Sequence, residues 1–153
     1  MEKMKIMLVD DEKRFLETTR KLLARKGLEI LTANSGRQAL DILQGKRVHI
    51  VVLDVKMPDM DGIETLKAIK KHHPMVEVIM LTGHATVESA IDGLKSGATD
   101  YLMKPTGIDE LIEKAQEAFD KRMRLEEKIR MAQTRIFQKS PREILKESQK
   151  PMG

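Results

Sequence analysis

Five short apolar runs, each followed by a polar or breaker-rich stretch, set the rhythm of this chain. The runs cover 5–9, 28–33, 48–53, 77–81 and 100–103, and their length and bounding residues predict strands. Between them, apolar residues recur every third or fourth position. Phe15, Leu16, Thr19, Leu22 and Leu23 mark a helix over 12–26, and Ala39, Leu40 and Leu43 mark one over 36–44. Further helices are expected over 63–72 and 87–96. Ser35 is placed to cap the second helix, and Gly27 and Gly97 to end the first and fourth. After His49 the third run is continuously apolar, as a strand buried on both faces has to be. The alternation predicts an α/β fold: a flavodoxin-like five-stranded parallel sheet, order 2-1-3-4-5, with helices on both faces. A last helix begins near Ile108 and meets no breaker before Pro141.

Polar residues stand where these strands end. Asp10 and Asp11 follow the first, Asp54 the third, Thr82 the fourth and Lys104 the fifth. In a parallel sheet all C-terminal strand ends open on one edge, so three carboxylates, a hydroxyl and an ammonium are expected to meet there. Three clustered carboxylates repel one another unless a cation joins them. An all-oxygen, partly open site suits Mg²⁺, and a carboxylate beside Mg²⁺ can attack a phosphoryl group. Taken singly each residue has a plainer reading. Asp10 and Asp11 could be a helix cap, Asp54 a turn starter, Thr82 a cap for the fourth helix and Lys104 surface charge. Their common edge favours the chemical reading.

These stretches resemble the receiver domain of bacterial two-component response regulators. The matching segments are 6–12 (Ile-Met-Leu-Val-Asp-Asp-Glu), 51–54 (Val-Val-Leu-Asp), 57–62 (Met-Pro-Asp-Met-Asp-Gly), 81–84 (Leu-Thr-Gly-His) and 97–105 (Gly-Ala-Thr-Asp-Tyr-Leu-Met-Lys-Pro). The resemblance covers about residues 4–120. Residues 82–90 look like receivers of the nitrogen-regulation type, which precede ATPase transcription activators. The resemblance implies that Asp54 is the phosphoacceptor and that Asp10, Asp11, Asp54 and the backbone carbonyl of Lys56 hold Mg²⁺. It makes Thr82 the switch hydroxyl, Lys104 the cation paired with the phosphoryl group, and Tyr101 an aromatic switch. Lys56 and His84 occupy positions that modulate phosphoryl lifetime, and Pro105 is expected after a cis bond. The implied function is a phosphorylatable switch whose changing face is formed by the fourth helix, fifth strand and last helix. Its partners would be a sensor histidine kinase and a downstream effector that the sequence does not name. It would catalyse only its own phosphorylation and decay, and so would not be a turnover enzyme.

Composition changes this picture little. The chain has 153 residues, no cysteine and a formal net charge of +4. Neither a membrane span nor a signal peptide is expected, which fits the cytoplasm. Residues 1–104 are nearly charge-balanced, and the basic surplus lies in 121–150. A basic tail can bind nucleic acid, but no aromatic beyond Phe137 interleaves with these charges, so base stacking is poorly supported. A dehalogenase-type phosphatase is disfavoured because Lys56 stands where a second acid should follow the nucleophile, and a dinucleotide enzyme because no G-x-G-x-x-G follows the first strand. Residues 1–120 are read as the receiver, 121–138 as a helical extension and 139–153 as a flexible tail. Along the last helix Leu111, Ala115, Ala118, Arg122, Leu125, Ile129, Ala132 and Ile136 keep a 4-3 spacing. A helix to residue 138 would be about 46 Å long, and a homodimer through it is expected. The remaining length carries no output domain, so the chain reads as a stand-alone or shortened regulator.

Overall fold

The structure is a computed structural model and describes residues 2–55, 61–83 and 86–138, with side chains to residue 136. Its elements are β1 (Lys5–Val9), α1 (Lys13–Arg25), β2 (Glu29–Ala33), α2 (Gly36–Gly45), β3 (Ile50–Leu53), α3 (Gly62–His72), β4 (Glu77–Thr82), α4 (Val87–Lys95), β5 (Asp100–Met103) and α5 (Ile108–Gln138). All strand pairs are parallel and the sheet order is β2-β1-β3-β4-β5, as the alternation predicts. By contacts the chain divides into two compact units, 1–119 and 120–153.

The two-residue period of the strands sorts the core of the first unit. Met7, Val9, Val51, Leu53, Val78 and Met80 form one buried cluster with Ala39 and Leu43 of α2 and Leu66 and Ile69 of α3. The alternate residues Ile6, Leu8, Ile50, Val52, Ile79 and Leu81 are buried on the opposite face, together with Leu16 and Leu23 of α1 and Leu111 and Ala115 of α5. Covering both faces explains why β3 has no polar residue.

Helix ends follow the local chemistry. Ser35 accepts from the Gln38 amide at 3.1 Å, and Asp61 accepts from Glu64 N–H at 2.8 Å. Thr86 and Ser89 form a reciprocal capping box at the start of α4, so the cap there belongs to Thr86 and not to Thr82. Gly27 and Gly97 take positive φ (82° and 109°) just beyond α1 and α4. The third strand starts at Ile50, two residues later than its apolar run suggests. His49 is tied off instead: its N–H donates to the Lys5 carbonyl and its Nδ1 accepts from the Lys5 N–H, both at 3.0 Å. The Lys104–Pro105 peptide is cis, as the resemblance implies. No helix among the described residues is long and apolar enough to cross a membrane.

Candidate functional site

The sheet's hydrogen-bond ladder continues one residue past three strands at their C-terminal ends. The Asp10 N–H donates to the Ala33 carbonyl (3.1 Å), the Asp54 N–H to the Val9 carbonyl (3.0 Å) and the Lys104 N–H to the Thr82 carbonyl (2.8 Å). Each backbone is held like a strand residue, while its side chain belongs to the edge where the strands stop. This is how residues 94 positions apart come to share one site.

One oxygen from each of Asp10, Asp11 and Asp54 lies within 4.8 Å of the others. Asp10, Asp54 and Thr82 are buried and Asp11 is exposed. The two oxygens of Asp10 are both engaged. Oδ1 accepts from the Glu12 N–H at 2.9 Å, which shapes the entry to α1, and Oδ2 accepts from Lys104 Nζ at 2.5 Å. Asp10 is thus both a local cap and a member of the acidic cluster. Burial, the largest influence, pushes its carboxyl above the ordinary carboxylate range, and the charge of Asp54 adds to this. Lys104 and the Glu12 amide pull the other way without prevailing.

Asp54 differs. Its Oδ1 is buried and has no hydrogen-bond partner among the described residues. An acceptor stripped of water and given no donor in return is costly, and such an atom wants a cation or a reacting group. The donor set is made of hard carboxylate oxygens, with no nitrogen or sulfur, and the side of Asp11 faces solvent. That set fits Mg²⁺, which binds through one or two carboxylates and keeps several waters.

Several contacts of the site were not visible in the sequence pattern. Gly62, the first residue of α3, passes directly over the backbone behind Asp54. A methyl there would lie 2.2 Å from the Asp54 carbonyl oxygen and 2.5 Å from Val55 Cα. Phe15 places its ring under Lys104, with Nζ 3.9 Å from the ring centroid. The Tyr101 hydroxyl lies 3.0 Å from Ser89 Oγ, so the expected aromatic switch touches the capping box of α4. Its ring packs partly buried against the cluster containing Met80. Lys56 and His84 lie outside the described residues, as do 57–60 and 139–153.

Comparison with known proteins agrees with the geometry. The family model described as the response regulator receiver domain matches residues 6–116. The transcriptional regulatory protein ZraR of Klebsiella oxytoca is 41% identical over 110 residues, covering 72% of this chain and 25% of that protein. The DNA-binding transcriptional regulator NtrC of Klebsiella pneumoniae is 39% identical over 105 residues, covering 69% of this chain and 22% of that protein. The chain therefore spans about a quarter of the length of the curated relatives it matches. Among solved structures, the CheY-like receiver domain protein of Methanospirillum hungatei JF-1 superposes with a TM-score of 0.77 at 32% identity, covering 80% of this chain and 98% of that one. NtrX of Brucella abortus superposes with a TM-score of 0.79 at 30% identity, covering 85% of this chain and 30% of that one.

Proposed function

The chain belongs to the response regulator receiver domain family, and on that premise we propose that it is a phosphorylatable switch of a two-component relay with Asp54 as phosphoacceptor. The observation that carries this reading is the buried Oδ1 of Asp54, which has no hydrogen-bond partner among the described residues, beside two further carboxylates. An Asp54 oxygen forms a bond to phosphorus while the donor's P–N bond, in a sensor kinase phosphohistidine, or P–O bond, in an acyl phosphate, breaks. The departing electron pair stays with imidazole or carboxylate. Asp10, Asp11 and Asp54, with the Lys56 carbonyl, are the residues that would hold Mg²⁺. When bound, the ion supplies neutralisation of the charge on the transferring oxygens.

The chain's own residues then divide the work. Lys104 carries a positive charge that can turn from Asp10 to a phosphoryl oxygen. The Thr82 hydroxyl at the end of β4 donates to the same group. Tyr101 responds to the movement of Thr82, and α4, β5 and α5 form the face that changes. Phosphorylation shifts a pre-existing equilibrium because its oxygens bond Thr82 better in one state. Lys56 and His84 modulate how water reaches the phosphoryl group. The protein is a phosphoacceptor with self-catalysed gain and loss of phosphate, not a turnover enzyme. Its partners are a cytoplasmic sensor histidine kinase and an effector.

The domain reading is that 1–120 carry the receiver and 121–138 extend its last helix. The extension serves as a homodimer seam, supported by exposed Leu125, Ile129 and Ile136 (46%, 41% and 57%) at heptad spacing.

Incubation with acetyl phosphate and Mg²⁺ followed by intact mass measurement tests the central claim. Wild type gains one phosphoryl mass and Asp54→Ala gains none. A wild type that takes no covalent phosphate from any donor overturns it.

A further inference from the structure

We propose that Phe15 is a positioning residue for Lys104, its ring face holding the ammonium at the phosphoryl site without neutralising it. The inference rests on the reading of Asp54 as phosphoacceptor and adds a residue that neither the motifs nor the family description supplies. The Lys104 ammonium sits 3.9 Å from the Phe15 centroid and 2.5 Å from Asp10 Oδ2. Its side chain is only 16% exposed and that of Asp10 only 2%. A cation this stripped of water needs partners in several directions. One N–H is taken by Asp10, and the electron-rich face of the ring covers another side.

A ring is an apt second partner here. Another carboxylate would cancel the charge that the phosphoryl oxygens require, and would add to a cluster that already repels itself. A ring face attracts the cation, contributes no net charge and has no single preferred direction. The ammonium can therefore swing from Asp10 toward a phosphoryl oxygen while the ring stays beneath it. The same carboxylate sets both parts. Asp10 Oδ1 accepts from Glu12 N–H and fixes the entry to α1, which carries Phe15 three residues on, and Oδ2 holds Lys104. Phe15 is also not needed for the deep core of α1, whose buried residues are Leu16, Thr19 and Leu23.

Graded fluorination of residue 15 separates electrostatics from packing. Phe15 is replaced in the full chain by monofluoro, difluoro and pentafluoro phenylalanine, which drain the ring face of electron density with little change of volume. Three quantities are read: the initial rate of Asp54 phosphorylation by acetyl phosphate at fixed Mg²⁺, the urea midpoint, and the NMR shift of the Lys104 ε-methylene protons. The rate is expected to fall stepwise, by about tenfold at the pentafluoro ring, with the urea midpoint unchanged. The ε-methylene protons of the unsubstituted protein are expected upfield, and Phe15→Leu abolishes that shift. A flat rate series overturns the proposal, as does a rate loss that tracks the urea midpoint. Absence of an upfield shift overturns it whatever the rates do. If the unsubstituted protein takes no phosphate while the upfield shift is present, the reading of Asp54 has failed and the role of Phe15 at a phosphoryl site falls with it.

Discussion

Gly62→Ala tests the packing behind the acceptor most directly. The added methyl would sit 2.2 Å from the Asp54 carbonyl oxygen, 2.5 Å from Val55 Cα and 2.9 Å from the Val55 carbonyl oxygen. A carbon and a carbonyl oxygen prefer about 3.2 Å or more, so something has to move by roughly 1 Å. These three nearest atoms are all backbone, so no rotamer change relieves the clash. Overpacking of this kind costs about 1–3 kcal/mol. The gain from a stiffer unfolded chain offsets roughly 0.4–1 kcal/mol of it. A net loss of about 1.3 kcal/mol, with a urea slope of about 2 kcal/mol/M, lowers the midpoint by about 0.6–0.7 M. Gly45→Ala is the matched control, because nothing lies within 4 Å of its methyl position. It is expected to be neutral or slightly stabilising. Phosphorylation by acetyl phosphate should slow in Gly62→Ala alone, since the forced shift begins at the acceptor's own carbonyl. If the two alanine variants unfold at the same urea concentration, the close approach of α3 to the Asp54 backbone is wrong.

Three other outcomes follow from the described contacts. The proton of Asp10 is held more tightly in the folded than in the unfolded chain, so its stabilising contribution is complete below the ordinary value of 3.8 and is lost as pH rises through the folded value. Asp10→Asn should therefore be more stable than wild type to urea at pH 7, by a margin that shrinks toward pH 4; a less stable variant at pH 7 contradicts this. Ser89→Ala removes a partner from both the Thr86 amide (3.0 Å) and the Tyr101 hydroxyl (3.0 Å). It should cost about 0.5–2 kcal/mol in the first turn of α4, read as faster amide exchange there, and unchanged protection would refute the shared cap. Leu125→Glu with Ile129→Glu should reduce the mass in sedimentation from a dimer to the 17.5 kDa chain; a wild type already monomeric at all concentrations removes the seam.

What was legible in the sequence is what periodicity encodes. The fully apolar third run, the breakers between runs and the polar residue after each run give the sheet order and its functional edge, because a parallel sheet leaves little choice of topology. Periodicity does not give the edges of a helix face. Phe15 and Leu16 look equivalent by spacing, yet Leu16 enters the core and Phe15 is turned to Lys104. Leu22 fits the apolar pattern and is 38% exposed. The apolar run overstates β3 by two residues, because Val48 and His49 are buried without being strand and His49 bonds to Lys5 through both its N–H and its ring. The close approach at Gly62 has no local signal, since nothing near it in sequence records that another segment's backbone passes beneath it. The Ser89–Tyr101 contact spans two elements and has no signal in either.

Because Asp10, Asp54 and Lys104 each occupy the first rung beyond a strand, the chemistry is fixed by where counting along each strand stops. Lengthening β1 or β3 by one residue would turn its acid to the other side of the sheet, since side chains alternate with every step. Substituting an apolar residue within the strand would leave the acid's direction unchanged. Insertions are therefore tolerable in the connections and not within these strands. A lineage built on this sheet can rewrite those connections to suit new partners while its strands keep their length.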